Sequence, residues 1–92
     1  MNGWANNPDV PTALATIGAH LRAGRRARYP DDTQGDFARR LGVSRYTWQK
    51  IEQGDAGVAV GTYLKAAELL GILDSVADAF MPPRRSLFER DP

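Results

Sequence analysis

Between Thr33 and Gly54 the chain reads TQGDFARRLGVSRYTWQKIEQG, two short stretches of helical period on either side of Leu41-Gly42-Val43-Ser44. Gly42 can take the left-handed backbone conformation that ends a helix, and Ser44, two residues on, can cap the next one. Helices this close in sequence must pack across each other through a tight turn. Phe37, Ala38 and Leu41 form the apolar face of the first, and Trp48 and Ile51 that of the second. Arg45, Tyr46, Gln49, Lys50 and Gln53 are then left facing outward.

The flanking segments also read as helices. One is expected to begin near Thr12, a good cap residue after Pro11, with Leu14, Ile17 and Leu21 at helical spacing. Arg22, Arg25, Arg26 and Arg28 crowd its last turns, where cations suit the negative end of the helix dipole. Pro30 stops it, and Pro30-Asp31-Asp32 forms a turn. Thr33-x-x-Asp36 resembles a capping box, with Asp where Glu or Gln is usual. The glycine-rich stretch 54–61, GDAGVAVG, lacks a following Gly-Lys-Ser/Thr and a clear preceding strand, so it reads as a connecting turn rather than a phosphate cradle. A fourth helix is expected over roughly 62–70, with Tyr63, Leu64, Ala67 and Leu70 on one face, and Gly71 breaks it. Asp74 is expected to cap a short fifth helix through Val76, Ala77, Phe80 and Met81, which Pro82-Pro83 stops.

The expected fold is therefore all-α, a compact five-helix bundle without a sheet. Its domain spans 12–81, between a flexible arm, 1–11, in which Trp4 can tuck against the body, and a flexible tail, 82–92.

Ninety-two residues with 42% hydrophobic content suffice for one small core. With no cysteine, neither a disulfide framework nor a thiolate zinc site can staple it. No apolar run approaches membrane-spanning length, and Met1-Asn2-Gly3-Trp4 lacks the basic start of a secretion signal, so a cytoplasmic, nucleoid-associated location without membrane contact is expected. His20 is the single histidine, too few for a metal centre or a histidine-based nucleophile system. Asp31-Asp32 and Asp74/Asp78 look like turn, cap and surface residues. No enzymatic activity, metal or cofactor is expected.

Net charge is only +1, but its distribution is uneven. Residues 22–50 hold Arg22, Arg25, Arg26, Arg28, Arg39, Arg40, Arg45 and Lys50 against Asp31, Asp32 and Asp36, a net of +5. Residues 51–92 carry a net of −3. The basic half coincides with the two-helix motif, as an electrostatic footprint for phosphate requires. The bland reading is a solvated arginine-rich helix face.

A helix that enters the major groove needs an apolar inner face, hydrogen-bonding side chains near its N-terminal end, and free N–H groups at its start. The helix after Ser44 meets all three. Arg45 can pair bidentately with guanine, Lys50 can reach the same groove edge, and Gln49 can pair with adenine. Tyr46 can pack on a thymine methyl or bond a phosphate. Thr33, Gln34, Ser44 and Gln53, at helix ends, are the expected phosphate contacts, which set register without reading sequence.

Gln34, Ala38, Leu41-Gly42-Val43-Ser44, Ile51-Glu52 and Gly54 together resemble the helix-turn-helix of Xre/Cro-type repressors, and the likeness extends over about residues 13–73. The resemblance implies a five-helix DNA-binding domain that acts as a homodimer on an inverted-repeat operator. It implies phosphate roles for Gln34 and Ser44, base-reading roles for Arg45, Tyr46 and Lys50, and a structural role for Glu52. Gly35 stands where the family commonly has Glu, and Trp48 where a smaller aliphatic residue is usual.

Two functions fit. The first is a sequence-specific transcriptional repressor, of bacterial, phage or plasmid type, acting by occupancy. The alternative is an antitoxin that neutralises a partner toxin and autoregulates its operon. The segment GDAGVAVGTYLKAAELLGILD resembles antitoxin members of the same family, and Leu87 and Phe88 in the tail could fold onto a toxin or co-repressor. Leu69, Leu70, Ile72, Leu73, Val76, Phe80 and Met81 are the candidates for a dimer interface, with packing under the fifth helix as the competing reading.

Overall fold

Asp9 opens the first helix. Its carboxylate accepts the Thr12 N–H at 3.0 Å, which starts α1 at Val10 and carries it to Arg28. The expected start at Thr12 is therefore two residues late. Thr12 lies inside the first turn, and Pro11 is tolerated there because early helical N–H groups have no partner to lose. The computed structural model describes residues 9–82, so Trp4 and the tail residues Leu87 and Phe88 lie outside the described residues.

Four further helices follow: α2 (Gln34–Leu41), α3 (Arg45–Glu52), α4 (Val60–Leu69) and α5 (Leu73–Ala79). The fold is all-α, as the sequence implies, with no strand among the described residues. The capping box of α2 is complete. Thr33 Oγ1 accepts the Asp36 N–H at 3.1 Å, and Asp36 Oδ2 accepts the Thr33 N–H at 3.0 Å. These bonds hold the Asp36 carboxyl below the usual aspartate value.

Two starts differ from expectation. Helix α4 begins at Val60 rather than near Thr62, and Ala59 caps it without a side-chain hydrogen bond. The preceding loop is braced instead by Asp55, whose carboxylate takes the Gly57 N–H at 2.6 Å and whose carbonyl takes the Tyr63 hydroxyl at 2.7 Å. Helix α5 begins at Leu73, so Asp74 lies in its first turn and is not its cap. The chain turns after Gly71 through the bond from the Ile72 N–H to the Ala67 carbonyl at 2.9 Å, and Ile72 takes the cap position without a side-chain hydrogen bond. The helix ends at Ala79, which leaves Phe80 and Met81 just beyond it.

The core is built where α2 and α3 cross and is closed by α1 and α4. Phe37, Ala38, Leu41, Trp48 and Ile51 are buried together with Leu21, Ala66 and Leu70. The rings of Phe37 and Trp48 lie 4.5 Å apart, centroid to centroid, and Tyr29 meets the edge of Phe37 at 5.6 Å. Trp48 is fully enclosed, and its indole N–H finds no partner among the described residues. Such a group forgoes a hydrogen bond, a cost of about 1–3 kcal/mol, which the burial of a large ring must offset.

A close helix approach depends on Gly18. A Cβ there would sit 2.5 Å from the Glu52 carbonyl oxygen and 2.6 Å from that of Ile51, so α1 lies directly on the last turn of α3. Gly54, at φ +77, meets the Leu14 backbone equally tightly from the other side. Alanine at position 18 is expected to cost about 1–3 kcal/mol through overpacking. Gly61→Ala, with nothing within 4 Å, is the control and is expected to stabilise by about 0.5 kcal/mol. Chemical denaturation of both variants checks the contrast, and equal midpoints would refute the close contact.

Candidate nucleic-acid interface

The turn between α2 and α3 is set by one left-handed residue. Gly42 adopts φ +79, its N–H reaches the Arg39 carbonyl at 3.2 Å, and the Val43 N–H reaches the Ala38 carbonyl at 3.0 Å. Ser44 then caps α3, its hydroxyl accepting the Thr47 N–H at 3.0 Å. The start of α2 lies beside the start of α3: a Cβ on Gly35 would lie 3.9 Å from the Arg45 Cδ, an ordinary contact distance.

Helix α3 is sharply two-faced. Trp48 and Ile51 have no exposed surface, whereas Arg45 and Tyr46 are exposed, the latter by 68%. Gln49 and Lys50 are half-buried on the same outward side. The Lys50 ammonium lies 5.1 Å from the centre of the Tyr46 ring, one helical turn away, a cation–π contact that gives the cation a preferred position. Among the described residues Arg45 and Lys50 make no ion pair, so their charge faces outward unneutralised.

Behind this face runs a polar chain that ties three helices together. Arg25 on α1 donates from Nε to Glu52 Oε2 at 2.7 Å, and both side chains are almost entirely buried. The Arg25 guanidinium also reaches the Asp32 carbonyl at 3.1 Å. Glu52 Oε1 accepts Gln34 Nε2 at 2.8 Å, and Gln34 Oε1 accepts Gln49 Nε2 at 3.1 Å. Glu52 is the structural residue that the family resemblance implies. Arg25, counted in the basic footprint, is corrected by this geometry: it neutralises a buried carboxylate and does not face a phosphate.

Other arginines are also engaged. Arg40 grips Asp32 with two bonds of 2.6 and 3.0 Å while its guanidinium lies 4.4 Å above the Tyr29 ring. That grip holds the Asp32 carboxyl below its usual range and raises Arg40 above its own. Arg28 donates to the Leu70 carbonyl at 3.3 Å, fastening the end of α1 to the end of α4. Arg39 contacts Asp36 only at 3.5 Å and stays exposed.

Of the expected site residues, Gln34 and Gln49 meet across α2 and α3, Lys50 lies against Tyr46 on the outer side of α3, and Thr33 and Ser44 cap the starts of the two helices, the latter just before Arg45. Gln53 does not join them. It caps the C-terminal end of α3, about 13.5 Å along the axis from Ser44. Periodicity placed the outward residues correctly, but it could not pair Arg25 with Glu52, because 27 residues separate them.

Removing the buried carboxylate by Glu52→Ala is expected to cost about 3–5 kcal/mol, since Arg25 is left charged and unpaired. Arg40→Ala breaks a half-exposed, solvent-screened pair and is expected to cost far less. Urea denaturation separates the two, and a mild effect of Glu52→Ala would contradict the role given to this carboxylate.

The sequence pattern of a family described as a helix-turn-helix domain matches residues 16–80, well over half of the chain. Comparison with curated proteins and with solved structures finds no match.

Proposed function

The chain belongs to the helix-turn-helix domain family, a family of DNA-binding regulators, and on that footing we propose that it is a sequence-specific transcriptional repressor. It acts as a homodimer on an inverted-repeat operator, with α3 in the major groove. The observation that carries this reading is the two-faced α3: anchored by the fully buried Trp48 and Ile51, it turns Arg45, Tyr46, Gln49 and Lys50 outward beside the capped start of α2.

Each residue has a proposed task. Arg45 pairs with guanine and Lys50 reads the neighbouring groove edge, its ammonium steadied over Tyr46. Thr33, Gln34 and Ser44 contact phosphates at the helix starts, with Gln53 doing so at the far end of α3. Gln34 has a second amide hydrogen for that purpose beyond the one given to Glu52. Repression follows from occupancy, the bound dimer blocking access to the promoter.

The exposed apolar surface of the C-terminal half supports the dimer. Ile72 is 41% exposed, Phe80 84% and Met81 64%, while Leu69, Leu73 and Val76 are half-buried. Leu70, by contrast, is in the core. Beside these residues runs an apolar groove of about 390 Å³, lined by Leu14, Ile17, Val58, Tyr63, Leu64, Val76 and Phe80 among others. The same groove favours the second reading, an antitoxin whose apolar face takes a toxin or co-repressor segment. No helix among the described residues is long and apolar enough to cross a membrane, and a cytoplasmic, nucleoid-associated role is proposed.

Binding is tested on DNA from immediately upstream of the chain's own gene, against a scrambled duplex, over a salt series. Selective nanomolar binding that weakens with salt is expected. Arg45→Ala is expected to cost about 1–3 kcal/mol on the specific site and to relax preference at one base position. Unchanged specific binding in that variant would show that α3 does not dock as proposed.

Sedimentation at micromolar concentration is expected to give a dimer, and Phe80→Asp to shift it toward monomer. A monomer with and without operator sinks the dimer. Co-purification with the product of an adjacent gene turns the reading toward the antitoxin.

A further inference from the structure

The apolar groove of about 390 Å³ runs along α1, with α4 and α5 as its other walls. Among the described residues no charged side chain lines it. Its one polar side chain, Tyr63, donates its hydroxyl hydrogen to the Asp55 carbonyl and so is already engaged. Val10, Leu14, Ile17 and Leu21 recur at i, i+4, i+7 and i+11, which puts all four on one side of α1. Val10 therefore continues the wall toward the start of the helix. It is 70% exposed and Ile17 45%, so this strip of α1 is left uncovered.

Two stretches of the chain lie outside the described residues, and their chemistry differs. Residues 83–92 carry Arg84, Arg85, Glu89, Arg90 and Asp91, five charges that an uncharged groove disfavours. Residues 1–8, MNGWANNP, carry no charged side chain and one large apolar ring, Trp4. They join α1 through Asp9, directly before Val10 and so at the open end of the groove. The segment from Trp4 to Val10 spans up to about 20 Å when extended. Val10 and Ile17 lie only about 10.5 Å apart along α1, so an arm that doubles back reaches the middle of the groove.

We propose that the N-terminal arm plugs the groove of its own chain, with the Trp4 ring against Ile17, Leu64 and Val76. The indole N–H stays at the open rim, where water satisfies it. The plug gives the arm a regulatory role that is separate from DNA reading. A segment of another protein that seats in the groove must first displace Trp4. Its apparent affinity is lowered by the fraction of chains whose arm is undocked.

Fluorescence of the full chain tests this, because Trp48 is fully enclosed and Trp4 is the only other tryptophan. Subtracting the signal of Trp4→Ala from that of the wild type isolates Trp4. Its emission is expected to be blue-shifted and several-fold less quenched by acrylamide than free tryptophan amide. Ile17→Glu, treated in the same way, is expected to return Trp4 to the free value. An unchanged Trp48 signal in that variant reports an intact core. Trp4→Ala is expected to bind the apolar dye anilinonaphthalene sulfonate several-fold more than the wild type. The chain has no cysteine, so Ala5→Cys with Leu64→Cys is expected to form a disulfide within one chain.

A Trp4 quenched as freely as tryptophan amide overturns the inference, and so does equal dye binding by wild type and Trp4→Ala. A disulfide between two chains, or none, overturns docking within the same chain. Protection of Trp4 that appears only with operator DNA assigns the arm to the DNA face and overturns the plug. The other readouts are taken without DNA, so failure of the plug is told apart from failure of the proposed repressor function.

Discussion

One buried carboxylate organises this molecule. Glu52 closes the last turn of α3, takes the guanidinium of Arg25 from α1 on one oxygen, and takes the amide of Gln34 from α2 on the other. Burying an ion pair contributes little net stability, because desolvation consumes most of the attraction. What the pair supplies is registry: any slide of α3 along α1 or rotation against α2 strands a charge away from water. An apolar contact at the same place would tolerate sliding by a fraction of a turn. For a helix whose outer side chains must meet particular atoms on a partner, that intolerance is the useful property.

The steric counterpart lies beside it. Gly18 lets α1 rest on the Ile51 and Glu52 carbonyls, and Gly54 brings the exit of α3 against the Leu14 backbone. Glycine within a helix lowers propensity by roughly 0.5–1 kcal/mol, so Gly18 is locally unfavourable and is retained by packing. The Trp48 indole adds a third constraint. It fills the space between α2 and α3 so completely that its N–H is left unbonded among the described residues. Close backbone approach, a full core and a directional ion pair all act on the same eight-residue helix, and together they hold its outer face still.

Element order was legible in the sequence because the signals that set it act over three or four residues. Thr33, Gly42, Ser44, Gly54 and Gly71 start or stop their helices where their chemistry says they should. Misplaced starts fall where that chemistry is masked or missing. At α1, Pro11 and Thr12 carry the same start signals as Asp9, the residue that caps. At α4 no side chain caps at all, and Asp55 braces the loop from outside the helix. The outward face of α3 followed from its period. The links behind that face did not, since Arg25 sits among four arginines alike in sequence and only the fold selects the one to be buried. Gln34 and Gln49 look like two independent surface amides until the fold puts them 3.1 Å apart.

The same magnitudes connect the reading face to the apolar surface at the other end of the chain. Each well-made base contact discriminates by about 1–3 kcal/mol, and selecting a site against a genome needs about 4–10 kcal/mol over non-specific binding. Four outward side chains on a single α3 reach about 4–12 kcal/mol only if every contact is well made, and Gln49 is already half-engaged with its neighbour. In the proposed homodimer, two copies joined rigidly double the discriminating contacts and convert the second half-site into an intramolecular event. The exposed Ile72, Phe80 and Met81 then have a physical reason to stay apolar, although water is a poor neighbour for them in a lone copy. A small domain that reads with one short helix is selective in proportion to how well it pairs, so in the proposed repressor the registry held by Glu52 and the surface around Phe80 serve one requirement.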